Sequence, residues 1–522
     1  MPVSVYIAWG IYAAIFIALV VFNIGFTKYY QSLRDPELSV TMVTAAMLSI
    51  AMGTVALVPL DIFLVSNTVD RHTGLKKTWA DEDTIYWMTL AVQVLYYVFF
   101  GLILVFSFFI IPFSYIYYES GRRAKALKYS FFFGMTGILL YLFGLFLKPT
   151  ILPPHIDLEW FKNLLMESNG AKAFWFVVGC LFIPGMLIFI VYTAPGLSLV
   201  PFKLIRARRK IDARHDEMNQ RLIKVREQQK MIEQKYAGSN AALSAHDYTA
   251  LENLNDEERI LLRQLTVIEQ EEHGFLQRIL KVMRPFEMLI GVIMLLFTIL
   301  MVASIFVTII DKVTFSVCGP KCGYIIGQTD LFNPIDFIMI ELQKLFPLDY
   351  VLMIAIMIHF YMSTMIGLTY IGVKFLWVTL YRIKKKSTAP QGLFCVAILL
   401  TFSLLALTYS ITSVITPGYT HFGSQVYCNH TEGGRRDCSY NNKIVPCDIW
   451  APLEICTPTV TSTILDRITL NTPIFGLIFY YAQWIFLVTF ILGFFIALFR
   501  SPQHENEEEE GLLDHDHRHR QE

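Results

Sequence analysis

Apolar residues fill this chain in long blocks, and polar residues gather between the blocks rather than alternating within them. A helix needs about 20 such residues to cross ~30 Å of hydrocarbon. Nine blocks reach that length, at 5–27, 40–65, 86–118, 128–147, 173–199, 286–310, 349–378, 393–416 and 474–499. The pattern predicts an all-α polytopic membrane protein of about nine transmembrane helices. Several blocks exceed the minimum, which predicts tilt or extension past the headgroups.

The longest polar stretch, 203–284, follows the fifth block. It opens on a basic run of Lys203, Arg206, Arg208, Arg209 and Lys210. Positions 211, 215, 218, 222, 225, 229 and 232 then step by four and three, and five of them are apolar: Ile211, Met218, Leu222, Val225 and Ile232. After Ala237-Gly238-Ser239-Asn240, which punctuates the helix, Leu251, Leu254, Leu261, Leu265, Ile268, Phe275 and Ile279 repeat that spacing, broken only by Glu258 and Glu272. Each set forms one helical stripe, and Ser244 or Asp247 can cap the second helix. The expectation is an antiparallel helical hairpin outside the membrane. A plain connector would need less, so a docking role is the sharper reading.

Orientation follows from the flanks. The first block has no basic residue before it and Lys28 after it, the reverse of a cleavable signal. It reads as an uncleaved anchor with its N-terminus outside the cytosol, and nine spans then leave the C-terminus inside. Lys28 and Arg34, then Arg122, Arg123 and Lys125, the run at 203–210, and Arg382, Lys384, Lys385 and Lys386 fall on the proposed cytosolic side, as the positive-inside rule asks. Arg71, Lys76 and Lys77 do not. The expected organisation is an N-terminal membrane block over 1–202, a cytosolic hairpin over 203–284, a C-terminal block over 285–500 with luminal loops 311–348 and 417–473, and an acidic cytosolic tail over 501–522.

Six of the eight cysteines, Cys318, Cys322, Cys428, Cys438, Cys447 and Cys456, fall in those two outer loops. An even set in an oxidising compartment reads as disulfides. Cys318 with Cys322 alone would also suit a metal. Cys180 and Cys395 lie within blocks and read as packing residues. The sequon Asn429-His430-Thr431 shares a loop with four of the six and marks Asn429 as a glycan acceptor. In the tail, Glu508 stands four residues before Leu512-Leu513, the spacing of an acidic dileucine sorting signal that clathrin adaptors would read. Tyr30 to Leu33 matches a tyrosine sorting pattern close to the membrane. His515, His517 and His519 resemble a metal tract but sit in an exposed terminus.

Hydrophobic residues make up 55% and charged residues 16% of the 522 positions, with a mean hydropathy of +0.49; soluble chains carry roughly 25% charged residues. The formal net charge is zero, which argues against nucleic acid as a partner and leaves membrane lipid. No Gly-x-x-x-x-Gly-Lys-Ser/Thr and no His-Glu-x-x-His occur, so neither a P-loop ATPase nor a zinc protease of that type is expected. No internal repeat is evident. The chain reads as a non-enzyme with no covalently bound cofactor. Asp61, Asp311, Lys312 and Asp349 are expected at the outer ends of spans, within reach of water. His359 and Lys374 are deeper, the latter as a snorkelling lysine. Residues 335–345, between Pro334 and Pro347, predict a short amphipathic helix at the outer surface.

Several local sequences then carry a resemblance. They are Pro59 to Ser66; Ile111-Pro112-Phe113 with Tyr117-Tyr118-Glu119; Ala126 to Tyr129; Tyr192-Thr193-Ala194 with Gly196 and Ser198; and Phe346 to Tyr350. In order and spacing the chain resembles the lipocalin-interacting membrane receptor family over nearly its whole length, and within it the members concerned with lysosomal cobalamin. The resemblance implies a multi-pass lysosomal membrane protein that releases cobalamin (vitamin B12) into the cytosol, with an ATP-binding cassette transporter of subfamily D as partner. Other relatives imply an alternative, a plasma-membrane or endocytic receptor or adaptor for a lipocalin-like ligand. No cobalamin-binding residues carry over.

Overall fold

The structure is a computed structural model. It describes residues 3–32, 37–147, 168–236, 251, 254–255, 258, 287–316, 319–325, 331–375, 378–383, 385–432, 435–436 and 443–499. Its helices are α1 (Val3–Tyr30), α2 (Leu38–Ser66), α3 (Glu82–Val105), α4 (Ile111–Ser120), α5 (Arg123–Phe146), α6 (Asn169–Ile188), α7 (Ala194–Tyr236), α8 (Glu287–Phe315), α9 (Pro334–Gln343), α10 (Leu348–Ile371), α11 (Pro390–Ser410), α12 (Pro417–Phe422), α13 (Val460–Asn471) and α14 (Pro473–Phe499). Among the described residues, nine helical stretches are long and apolar enough to span a membrane. They are α1, α2, α3 with α4, α5, α6 with the start of α7, α8, α10, α11 with the turn after it, and α14.

Three of these spans contain a wide, π-type turn, at Phe106–Ile110, Phe189–Thr193 and Ile411–Ile415. In each, an N–H reaches back five residues: Ile111 to Phe106, Ala194 to Phe189 and Thr416 to Ile411. The next residue is always proline: Pro112, Pro195 and Pro417. A proline ring collides with the carbonyl four residues before it, and a wide turn moves that carbonyl aside. Pro59, Pro184 and Pro201 lie inside regular helix without one, so proline alone does not dictate the turn.

The seventh span is shorter than its apolar block. α10 stops at Ile371 because Gly372 takes a φ of 78°, a conformation that ends helices. The chain then turns back as an antiparallel pair, β3 (Val373–Phe375) with β4 (Val378–Tyr381). Lys374 is therefore an exposed strand residue outside the span, not a snorkelling helix residue.

Burial separates the spans into a centre and a rim. The most apolar window of α2 is 89% buried and that of α11 and its turn 78%, whereas that of α5 is 17% buried. The central spans hold a hydroxyl triangle at the second wide turn: Thr193 Oγ1 lies 2.8 Å from Thr364 Oγ1 and 3.1 Å from Ser403 Oγ, and Thr364 lies 3.1 Å from Ser403. Three hydroxyls that satisfy one another can sit at membrane depth. Beside them, Gly196 packs under the Ser363 carbonyl and Gly367 under the Tyr192 carbonyl.

A second compact unit comprises Val200–Phe297 and the chain from Phe495. In it α7 runs on well past the apolar block to Tyr236. Leu222 and Val225, both on the first predicted stripe, are buried against Leu254 from the second. Arg226 pairs with Glu258 at 2.9 Å and Gln229 with Asn255 at 3.1 Å. Most of the second stripe lies outside the described residues.

Candidate functional site

The chain segments joining α2 to α3, α8 to α10 and α11 to α14 meet on one face and form a cap over the ends of the spans. Its scaffold is built from short strands: β1 (Val69–Asp70) pairs with β2 (Leu75–Lys76), β5 (Val426–Cys428) with β8 (Ile444–Pro446), and β6 (Thr431–Glu432) with β7 (Arg435–Arg436). Cys322, Ile325, Phe422, Ile449, Cys456 and Leu470 belong to its small apolar core. Cys447 and Cys456 form a disulfide with their Cα atoms 5.8 Å apart. Cys322 and Cys428 are also disulfide-bonded, while Cys180 and Cys395 are free thiols. Cys318 and Cys438 lie outside the described residues.

The six-residue helix α12 is the hub of the cap. Its Tyr419 N–H donates to Asp336 of α9 at 2.7 Å, and its Tyr419 hydroxyl donates to Asp349 of α10 at 3.0 Å. His421 meets Asp466 of α13 at 2.8 Å through Nε2 and faces the Pro417 carbonyl at 3.3 Å through Nδ1. Thr459, the N-cap of α13, donates to the Thr420 carbonyl at 2.6 Å. α9 has its own cap: the Asn333 side chain accepts from Ile335 and Asp336 and donates to Thr308 and the Ile415 carbonyl at 3.0 Å each.

Charges expected at water-accessible span ends are instead covered by this cap. Asp61, Asp311, Lys312 and Asp349 are each 4% exposed or less. Asp61 accepts from the Thr461 N–H at 2.8 Å and its hydroxyl at 2.9 Å, so a carboxylate from the second span holds the first turn of α13. Tyr96 completes the set, 2.5 Å from the Thr461 hydroxyl. His359 is also buried, with Nε2 3.0 Å from Thr298.

Between α8, α11, α12 and α13 the cap leaves a cleft enclosing about 1000 Å³, including its open mouth. Lys312, Tyr409, His421 and Asp466 line it inside, with Tyr324 and Asp448 from the loops. Lys312 Nζ lies 5.6 Å from the centre of the Tyr409 ring, and Tyr324 stacks on Tyr480 at 4.2 Å. The cavity itself, about 210 Å³, is smaller than most small-molecule sites. Among the described residues no cluster of three or more metal-ligating side chains occurs.

Asn429 is exposed at the edge of the cap, its N–H bonded to the Lys443 carbonyl at 3.0 Å. Glu508, Leu512 and Leu513 lie outside the described residues. Sequence reasoning did not single out Asp336, Tyr419, His421 or Asp466. The helix carrying Asp466 is too short to register as a span, though Val460, Ile464, Leu465 and Ile468 do carry helical spacing.

Comparison with known proteins places this architecture. Residues 9–260 match the family described as LMBR1-like membrane protein. A "Probable lysosomal cobalamin transporter" of Sclerotinia sclerotiorum is 34% identical over 98% of this chain and 92% of its own. Proteins of the same name from Podospora anserina and Coccidioides immitis are 35% and 33% identical, each over 97% of this chain and over 92% and 94% of their own. No solved structure matches. Nine apolar helices among the described residues and similarity along nearly the full length agree: this multi-pass chain belongs to the LMBR1-like membrane protein family.

Proposed function

We propose that this protein moves cobalamin from the lysosome to the cytosol, as a component or escort of a transporter rather than as an enzyme. The observation that carries this reading is the near full-length similarity to proteins named as lysosomal cobalamin transporters. The capped face is then luminal, with Asn429 glycosylated and the disulfides facing the oxidising side, and both the hairpin and the tail are cytosolic. The sequence has no P-loop, so ATP-driven export draws its energy from another chain, an ATP-binding cassette transporter of subfamily D. The hairpin engages that partner, and the dileucine tail around Glu508 engages clathrin adaptors.

The test is cobalamin distribution in cells lacking the protein after feeding labelled vitamin. Label trapped in lysosomes, and released when the protein is restored, supports export. Normal cytosolic label overturns it and leaves the receptor reading. Deleting 211–279 with expression retained should abolish co-purification of the transporter; unchanged co-purification rejects the hairpin as the docking surface.

A further inference from the structure

The cleft in the cap holds a buried lysine beside two carboxylates, Asp448 and Asp466. Lys312 is 4% exposed and lines the cleft. Asp466 is the acid whose charge it feels, but that carboxylate is engaged by His421 at 2.8 Å. Lys312 makes no ion pair among the described residues, and its near neighbour is the face of the Tyr409 ring. An ammonium so far removed from water is costly unless something compensates it. A π face offsets part of that cost. A ligand anion entering the cleft offsets the rest.

We propose that this cleft receives a phosphodiester carried on a ring-bearing body, with Lys312 as its counter-charge and Tyr409 and Tyr324 as apolar walls. An ammonium with no ion pair among the described residues takes one negative charge, beside Asp448, whose Oδ1 accepts from the Trp450 N–H, and a phosphodiester is a monoanion at both lysosomal and cytosolic pH. Aromatic walls suit a ring attached to the anion. A cavity of about 210 Å³ exceeds what an inorganic ion needs and admits a phosphodiester with part of the body attached to it. The choice of a phosphodiester over a carboxylate rests on the cobalamin reading, because the vitamin carries one phosphodiester, in its nucleotide loop. A phospholipid headgroup shares the phosphodiester but not the ring, and Lys312 sits near the end of a span, where headgroups lie.

Binding to the purified full-length chain in detergent tests this. The probes are cyanocobalamin, cobinamide (the corrin ring without the nucleotide loop) and short-chain phosphatidylglycerol. The expected result is cyanocobalamin binding that falls about tenfold or more in Lys312→Met and recovers in Lys312→Arg, with cobinamide as weak on the wild type as the vitamin is on Lys312→Met. Lys312-dependent binding of phosphatidylglycerol alone keeps the phosphodiester site and assigns it to lipid. Equal affinities in wild type and a folded Lys312→Met for every probe overturn the proposal. Where Lys312→Met does not fold, Tyr324→Ala at the mouth decides: unchanged affinity for both phosphodiester probes overturns it. The export reading fails separately, on the cellular label, whatever the cleft binds.

Discussion

His421 and Asp466 meet at 2.8 Å, and the other ring nitrogen of His421 faces a carbonyl oxygen, that of Pro417. Both neighbours can only accept, so the arrangement favours the doubly protonated ring. Burial works against that charge, but Asp466, the Pro417 carbonyl and Asp336 outweigh it and hold the His421 pKa above its ordinary value. Burial also pushes Asp336 up to about 6, against the hydrogen bonds from Tyr419 and Gly418 and the charge of His421.

Both shifts have one sign. A group whose pKa is raised by folding contributes stability that is present below its unfolded pKa and lost as pH rises through its folded value. These two groups therefore favour the folded cap in acid. For Asp336, a rise from 3.8 to about 6 corresponds to about 3 kcal/mol lost on going to neutral pH. The melting temperature of the purified protein should fall between about pH 5 and pH 7.5, and Asp336→Asn should flatten the profile. A profile identical in the variant would reject this assignment.

Gly196 and Gly367 should not tolerate a methyl group. A Cβ at either would run into a backbone carbonyl of the facing helix, Ser363 or Tyr192, which cannot swing aside as a side chain can. Each alanine substitution should cost several kcal/mol, about 3 or more, by forcing the helices apart. Gly10 is the control, since nothing lies within 4 Å of its added Cβ, and Gly10→Ala should gain up to ~1 kcal/mol. Thermal unfolding of the three variants in detergent separates these outcomes.

Asp61→Ala should release the first turn of α13. It removes the acceptor for the Thr461 N–H and hydroxyl inside a buried site, a loss of about 1–3 kcal/mol. Asp61→Asn, which keeps one accepting oxygen, should lose less. Faster hydrogen exchange over Val460–Asn471 in the alanine variant, without change in α5, is the expected signature; uniform change would point to general destabilisation instead.

The exposed Asn429 offers a test of orientation. Asn429→Gln should increase gel mobility by one glycan, and glycosidase treatment should collapse wild type and variant to the same band. Identical mobility before treatment would place this loop off the luminal side or leave the sequon unused.

The nine spans among the described residues were legible because hydrocarbon thickness imposes a length that composition alone reveals. The end of the seventh was misread because Val373, Phe375, Leu376 and Trp377 continue the apolar run around Lys374 while Gly372 turns the backbone. The cap was largely hidden. Asp61 and Thr461 are 400 residues apart in the chain, and no local pattern in either announces the other. α12 is only six residues long, too short for periodicity to show. Its Pro417-Gly418 pair reads equally well as a turn. The burial of Lys312 follows from the loops folding back over it, which span-by-span reasoning cannot anticipate.

The three wide turns make chain length itself a specification. Each holds one residue more than a regular helix would use in that place. Deleting one residue from Ile411–Ile415 would close the helix normally but swing α12 about 100° around its axis and draw it in by about 1.5 Å. Tyr419 would leave Asp336 and Asp349, and His421 would leave Asp466, with no side chain altered. Single-residue deletions at these turns should therefore be as damaging as losing the buried groups they aim, and helices on either side must be aligned by counting residues rather than by matching apolar character.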